Sequence, residues 1–265
     1  MERKYNRNII ICHILCCLVL LFISSSVLAD EEKPTAGADI TILSKYMWRG
    51  MELSDDSLVI QPSITVAFKG ISFNLWGNLD LDQDGDSEEK SQFNETDMTF
   101  SYEKSIGMIG LGVGYIYYGL DGTDDSEEIY VSIGLDTLLS PNITIYREIA
   151  HLPACYINFG ISHSFNLPEE ISLDLAGSVG YYFSDDDDFT EYSENGIPAP
   201  DKYRNFHDGL VSVELTIPLC DYAIISPMLA YSFPLIDDAD NFITACSFSD
   251  ESDFIFGGAT VSISF

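Results

Sequence analysis

The chain has 265 residues, with 12 Lys and Arg against 43 Asp and Glu, which gives a formal net charge of −31. Such acidity excludes nucleic acid and, in general, anionic ligands as partners, because a strongly negative protein repels them. Tyr (15), Phe (16) and Gly (19) accompany short runs of Ile, Val, Thr and Ser, a composition that favours one large β domain.

The N-terminus has the pattern of a secretory signal peptide. Basic residues precede an apolar stretch at 9–23, and small residues then lead to Ala29. We therefore predict cleavage after Ala29, with residues 1–29 as the signal peptide, 30–37 as a short periplasmic segment and 38–265 as the main domain. The mature protein is expected to be exported.

The mature chain alternates apolar and polar residues at a period of two, which is typical of strands with one apolar and one polar face. In "ISFNLWGNLDLD", Ile71, Phe73 and Leu75 fall on one face and Asn74 and Trp76 on the other. Twelve such segments are predicted, each near the length that a tilted strand needs to cross a bilayer. Their approximate ranges are 39–50, 58–69, 71–82, 94–104, 108–118, 127–138, 142–150, 155–166, 170–183, 208–218, 222–234 and 253–265.

The connections between these segments alternate strictly between short turns and mostly longer, acidic loops. The longer class includes "MELSDDS", "QDGDSEEKSQF", "GLDGTDDS" and the stretch at 184–207, whereas "HLPA" is a short and uncharged exception. Short periplasmic turns and longer external loops are typical of outer-membrane barrels. We therefore predict an all-β protein, a transmembrane antiparallel up-and-down β-barrel of about 12 strands in the bacterial outer membrane.

The C-terminal residues fit this interpretation. Val261, Ile263 and Phe265 share one parity, so they are expected to face lipid at the periplasmic rim. A terminal aromatic residue also resembles the sorting signal of bacterial outer-membrane proteins. The expected partners are outer-membrane lipid, lipopolysaccharide and small solutes.

If the apolar parity faces lipid, the other parity lines the lumen, and carboxylates outnumber basic groups there. One hypothesis is a narrow, cation-preferring channel for passive diffusion, in which Lys45 and Arg49 of the first strand oppose the carboxylates at a constriction. The alternative is a ladder of ion pairs that plugs a non-conducting barrel. The predicted pore-lining residues are Lys45, Arg49, Trp76, Asp80, Asp97, Asp136, Asp174 and Glu214.

One acidic loop resembles a calcium-binding sequence. In "DLDQDGDSEE", Asp80, Asp82 and Asp84 have the spacing of an EF-hand loop, followed by Asp86 and Glu88. The twelfth position is a serine and a strand precedes the loop, so a strict EF-hand is excluded. The remaining interpretations are loose binding of Ca²⁺ or Mg²⁺ and a solvated acidic loop, and no other cofactor is expected.

An enzyme is not expected. Lipid hydrolysis by a barrel needs His and Ser on the same face, but the neighbours His163 and Ser164 point to opposite faces of a strand. His151 and His207 are predicted to lie in external loops without a nucleophile nearby. A lipid-modifying enzyme is therefore ranked after a channel and after a structural barrel that binds an envelope partner.

The first third of the mature chain resembles a known family. "SKYMWRG" (44–50), "QPS" (61–63) and "WGN" (76–78) are similar to the TorF-like porin family of bacterial outer-membrane barrels. The resemblance implies a porin and brings no substrate or catalytic residue. Arg49 and Gly50 are the expected family-defining lumen or rim residues, although Gly50 also fits a structural role in a turn.

Overall fold

The computed structural model describes residues 33–82 and 91–265, and residues 34–265 form one compact unit. The predicted signal peptide lies outside the described residues. These described residues are almost entirely β, and among them there are one α-helix, α1 (Asp237–Cys246), and one 3₁₀ turn, Pro168–Glu170. The strands are β1 (Thr35–Leu43), β2 (Met47–Trp48), β3 (Met51–Glu52), β4 (Val59–Phe68), β5 (Ile71–Asp80), β6 (Gln92–Ile106), β7 (Ile109–Leu120), β8 (Ser126–Leu135), β9 (Asn142–Glu148), β10 (Ala154–Asn166), β11 (Ser172–Ser184), β12 (Thr190–Tyr192), β13 (Pro198–Lys202), β14 (Arg204–Cys220), β15 (Ala223–Pro234) and β16 (Phe254–Ser264).

Twelve of these strands form a closed antiparallel barrel, in the ring order β1, β4 to β11, β14, β15 and β16. Strands β2 and β3 pair only with each other, as do β12 and β13, and both hairpins belong to connections between barrel strands. The ring closes where β16 pairs with β1 and the hydroxyls of Thr41 and Thr260 hydrogen bond at 2.9 Å. The predicted all-β barrel of about 12 strands is therefore confirmed.

Alternation sorts the side chains between the outward face and the lumen. On β5 the outward Ile71, Phe73 and Leu75 are 48%, 39% and 42% exposed, and they alternate with polar side chains that point inward. Large apolar side chains are similarly exposed on the other barrel strands. Among the described residues, no helix is both long and apolar enough to cross a membrane.

The two ends of the barrel differ. The short-turn end carries the connections 69–70, 107–108, 136–141, 167–171 and 221–222. The long-loop end carries 44–58, 121–125, 149–153, 185–203 and 235–253, together with the β5–β6 connection, which lies in part outside the described residues. The long connections contain both small hairpins and α1, so this end of the barrel has folded structure of its own.

The prediction for the first strand was wrong in its bounds. It was placed at 39–50, but β1 spans Thr35–Leu43 and begins inside the segment predicted to be periplasmic. After Leu43 the chain leaves the barrel wall, because local hydrogen bonds replace the ladder: Tyr46 N donates to Ser54 Oγ at 2.8 Å and Leu53 N donates to Tyr46 O at 2.8 Å. Lys45 and Arg49 therefore belong to a connection and not to a wall strand.

Candidate functional site

The β2–β3 hairpin turns at Arg49 and Gly50. Trp48 pairs with Met51 across a two-residue loop, and both loop residues have positive φ, 49° for Arg49 and 84° for Gly50. Two positive φ values define a type I′ turn, for which Asn-Gly is the favoured sequence. A non-glycine residue at the first of these positions is strained, so Arg49 is held there by its surroundings.

Gly50 is required by space as well as by conformation. A Cβ added to this residue would lie 2.9 Å from Asp208 Cβ and 3.0 Å from Ile243 Cδ1. The hairpin tip is thus packed between barrel strand β14 and helix α1. The structural role considered for Gly50 in a turn agrees with this geometry.

The Arg49 side chain forms a bidentate ion pair with Glu128 of β8. Arg49 Nη1 donates to Glu128 Oε1 at 2.8 Å, and Nη2 donates to Oε2 at 2.7 Å. The two side chains are 8% and 3% exposed, so the pair is buried inside the long-loop end of the barrel. Burial acts to lower the pKa of Arg49, but Tyr182 and Glu128 reverse this effect and keep the pKa above its usual value. Arg49 therefore remains a cation.

Four tyrosines on adjacent strands form a row, and three of them contact this guanidinium. Tyr130, Tyr146, Tyr156 and Tyr182 are direct partners in the register of β8 to β11, and we call them the tyrosine ladder. Successive ring centroids lie 5.6, 6.2 and 4.8 Å apart. The Arg49 guanidinium carbon lies 4.8, 4.4 and 5.6 Å from the last three rings, within the range of cation–π attraction.

Further contacts complete the surroundings of Arg49. Tyr182 Oη accepts a hydrogen bond from Arg49 Nη1 at 2.7 Å, and Tyr118 Oη donates to Glu128 Oε2 at 2.9 Å. The Trp48 ring, on the hairpin itself, lies 4.5 Å from the guanidinium carbon. The cation thus contacts one carboxylate and four aromatic rings.

The hairpin segment spans the lumen from wall to wall. Tyr46 packs on Trp76 of β5 with ring centroids 5.7 Å apart, and burial followed by the nearby Glu95 carboxylate raises the pKa of Tyr46 well above its usual value. The Arg49 carbonyl is 3.0 Å from His207 Nε2 of β14. Because β5 and β14 lie on roughly opposite sides of the ring, the hairpin bridges the opening.

His207 was predicted to lie in an external loop, and this prediction was wrong. It lies in β14, which begins at Arg204, and its side chain is fully buried. Its Nδ1 is 2.7 Å from Tyr203 Oη and its Nε2 faces the Arg49 carbonyl. The strand starts earlier than the alternation indicated because Arg204 to Phe206 continue the ladder with β11 beyond a register shift near Gly180.

The buried apolar cluster of the described chain lies at this same end, and we call it the mouth cluster. It joins the hairpin, the barrel wall and α1, and it is extended by Phe189 and Tyr192 of the 185–203 connection. The sequence reading missed α1, whose apolar Phe242 and Ile243 face this cluster. The members of the mouth cluster are Met51, Ala154, Tyr156, Tyr182, Tyr203, Phe242, Ile243 and Phe254.

Lys45 and Glu52 form a second ion pair in the hairpin segment. Lys45 Nζ lies 2.9 Å from Glu52 Oε1 and also contacts the Asp56 carboxylate. The Glu52 side chain is fully buried, and its Oε2 has no hydrogen-bond partner among the described residues. Both predicted basic lumen residues are thus paired with carboxylates, Lys45 with Glu52 and Arg49 with Glu128.

Most of the other predicted pore-lining residues point into the lumen from wall strands. Trp76 on β5 is the register partner of Asp97 on β6, and Asp174 on β11 is the partner of Glu214 on β14. Asp174 Oδ2 accepts hydrogen bonds from two hydroxyls in the same region of the wall. Asp136 differs, because β8 ends at Leu135 and Asp136 lies in the exposed 136–141 turn.

The candidate cation loop is only partly within the described residues, since Asp84, Asp86 and Glu88 lie outside them. Asp80 is fully buried at the end of β5, where it accepts hydrogen bonds from Ser57 Oγ and, at 3.0 Å, from the Asp82 amide. Among residues 33–82 and 91–265, no group of three or more His, Cys, Asp or Glu side chains is arranged to hold a metal ion.

The His163–Ser164 pair has the geometry expected from strand alternation. His163 Nδ1 lies 2.7 Å from the Leu138 carbonyl, and its ring packs edge-on against the outward Phe165. Ser164 points the other way and interacts with the Asp174 carboxylate in the lumen. The two side chains therefore do not meet.

Comparison with known proteins gives a family match and several fold matches. A family model described as a bacterial protein of unknown function (Gcw_chp) matches residues 30–147, which include the 44–78 motif block. A search of curated proteins gives no match. The description of the matching family does not name the TorF-like porins, so that resemblance stays a prediction.

Solved structures similar to this chain include a porin, an outer membrane channel and an outer membrane phospholipase. The NanC porin is 10% identical with a TM-score of 0.49, over 86% of this chain and 98% of that one. An outer membrane channel from Pseudomonas putida F1 is 9% identical with a TM-score of 0.49, over 91% and 100%. The Salmonella typhi outer membrane phospholipase is 10% identical with a TM-score of 0.45, over 90% and 94%. At these identities the likeness concerns the barrel fold alone.

Proposed function

We propose that this protein is an outer-membrane channel of the TorF-like porin type, through which small solutes diffuse passively with a preference for cations. The observation that supports this most directly is the closed barrel itself, with exposed apolar side chains outward and polar side chains inward. Such a face suits lipid and lipopolysaccharide, with the short-turn end in the periplasm. The neighbouring His163 and Ser164 point to opposite faces of β10, so this pair gives no support to an enzymatic role.

The long-loop end of the proposed channel is obstructed by the protein's own chain in this conformation. The β2–β3 hairpin crosses the opening and is anchored by the buried Arg49–Glu128 pair and by the mouth cluster. We therefore expect the docked hairpin to restrict conduction and its movement to increase it. The same observation favours the second candidate function, a permanently plugged barrel with a structural or partner-binding role.

Single-channel recording separates the two candidates. We would compare the wild type with a variant in which residues 46–53 are replaced by a flexible Gly-Ser linker, which leaves every barrel strand intact. The channel proposal expects rare or small steps from the wild type and frequent, larger steps from the variant. If both proteins are folded, as shown by heat-modifiable mobility, and neither gives steps, the barrel is structural.

Ion selectivity is tested in the same linker variant. Neutralising the paired lumen carboxylates, Asp174→Asn with Glu214→Gln, should move the reversal potential under a salt gradient toward the non-selective value. Asp124→Asn, in the exposed 121–125 loop, is the matched control and should change it less. An unchanged reversal potential in the lumen variant would contradict the proposed cation preference.

A further inference from the structure

The site that holds the Arg49 side chain belongs to the barrel wall and not to the hairpin. Glu128 lies on β8, and Tyr146, Tyr156 and Tyr182 lie on the next three strands. Inter-strand hydrogen bonds fix these positions whether or not the hairpin is docked. When the hairpin leaves, the wall therefore keeps a carboxylate beside a row of aromatic faces.

This combination of groups has a defined chemical preference. A carboxylate accepts two parallel hydrogen bonds from a guanidinium, and aromatic faces attract guanidinium and alkylammonium groups. With the hairpin docked, Glu128 is 3% exposed, and Tyr156 and Tyr182 are 4% and 3% exposed, so the contacts of Arg49 with the wall are shielded from water. Shielding strengthens both interactions, because less solvent screens them.

The backbone conformation of Arg49 indicates that an arginine stands here for its side-chain contacts and not because it suits the turn. The type I′ position with a φ of 49° favours Asn or Gly, and arginine adopts this conformation only at a cost. The contacts of the guanidinium with Glu128 and the tyrosine ladder compensate for that cost. Arg49 thus behaves as a ligand that the hairpin delivers to the wall.

We propose that Glu128 and the tyrosine ladder form a recognition site for organic cations that carry a guanidinium or alkylammonium group, and that Arg49 occupies this site as a tethered internal ligand. A free cation of this class competes with Arg49 and releases the hairpin. The inference names a class of solute for the proposed channel. It rests on the proposed channel function only where it concerns passage of that solute through the lumen. Recognition itself does not depend on conduction.

Competition with a tethered ligand sets the expected concentration range. A group on a short tether has an effective concentration in the millimolar range. A free cation must therefore approach or exceed about millimolar levels to displace Arg49, even when it contacts the wall equally well. Removing the Arg49 side chain abolishes this competition and leaves the wall site vacant.

The first test is binding of methylguanidinium to the folded Arg49→Ala variant, measured by calorimetry in detergent. Saturable binding is expected. Wild type should bind at least tenfold more weakly, because its site is occupied. Methylurea, a neutral ligand of similar shape, should not bind, and Arg49→Ala with Glu128→Gln should lose the affinity for methylguanidinium.

The second test uses the wild type and avoids dependence on the folding of any variant. Methylguanidinium should accelerate amide hydrogen exchange across residues 44–58, whereas an equal concentration of sodium or methylurea should not. The inference is overturned if methylguanidinium neither binds the vacated site nor accelerates this exchange, or if methylurea acts equally.

Channel recording then distinguishes failure of the inference from failure of the proposed function. Binding and accelerated exchange without any conductance would support the recognition site and refute the channel. Conductance steps that methylguanidinium neither increases nor blocks, in a protein that does not bind it, would support the channel and refute the recognition site.

Discussion

Replacing Arg49 with methionine should loosen the hairpin without unfolding the barrel. The substitution keeps most of the side-chain volume but leaves Glu128 buried without its cation. The Arg49 and Glu128 side chains are both less than one-tenth exposed, so the substitution breaks a buried ion pair. Breaking such a pair by removing one partner costs about 3–5 kcal/mol of stability. At about 1.4 kcal/mol for each factor of ten, the opening equilibrium rises about 140- to 3,700-fold.

Hydrogen exchange of residues 44–58 measures this opening. Protection there comes from docking, since Leu53 N donates to Tyr46 O within the loop and Glu52 N donates to Ser247 Oγ beyond α1. Exchange in Arg49→Met should be faster by the factor above, while the barrel strands keep their protection. Loss of protection in all strands would instead mean that Arg49 supports the whole fold.

Two further variants test the reasoning. Arg49→Met combined with Glu128→Met removes both charges, so its exchange should lie closer to wild type than that of Arg49→Met alone. Arg147→Met is the matched control, because Arg147 and Asp185 form an ion pair that is 32% and 55% exposed and is worth about 1 kcal/mol or less. If Arg49→Met leaves exchange at 44–58 unchanged, the ion pair does not hold the mouth closed.

Three other predictions concern the turn, the outward face and the thiols. Gly50→Ala should cost about 1–2 kcal/mol for the left-handed backbone alone and more for the 2.9 Å contact of its Cβ, so exchange of the hairpin should accelerate. Leu75→Arg on the outward face should lower unfolding stability in liposomes by about 2–4 kcal/mol, and the inward neighbour Asn74→Arg by much less; equal losses would contradict a lipid-facing surface. Burial raises the pKa of the Cys246 thiol to about 11. Iodoacetamide at pH 8 should therefore alkylate the exposed Cys220 before Cys246, and Cys246 should react appreciably only as the pH approaches 11.

The barrel could be predicted from the sequence because its signal is local and repeated. Period-two alternation depends only on which face of a strand meets an apolar surface, and turns interrupt it at regular intervals. The predicted strand bounds were wrong where packing against other segments of the chain replaced contact with an apolar surface. Residues 44–50 continue an acceptable strand pattern, yet Arg49 and Gly50 form a tight turn inside the mouth, and β14 extends back to Arg204 along the same packed region.

The candidate site was predicted in part. Arg49 was assigned to the lumen from its charge and parity, but its partner Glu128 was not, because the pair is separated by 79 residues and no local pattern links them. A signal for the tyrosine ladder was present, since Tyr130, Tyr146 and Tyr156 share the inward parity of neighbouring strands. Reading that signal required the register between strands, which alternation alone does not supply.

The sequence by itself thus determined the class of fold, the number of strands, the inward and outward faces and the asymmetry between the two ends. Only the tertiary structure decided that the β2–β3 hairpin lies across the mouth, that Arg49 contacts Glu128 and the tyrosine ladder of the wall, and that α1 packs against the hairpin. The physical reason is the separation along the chain of the residues that determine each feature. Faces follow from the surroundings of each strand, whereas closure depends on distant segments that meet only after the ring has formed.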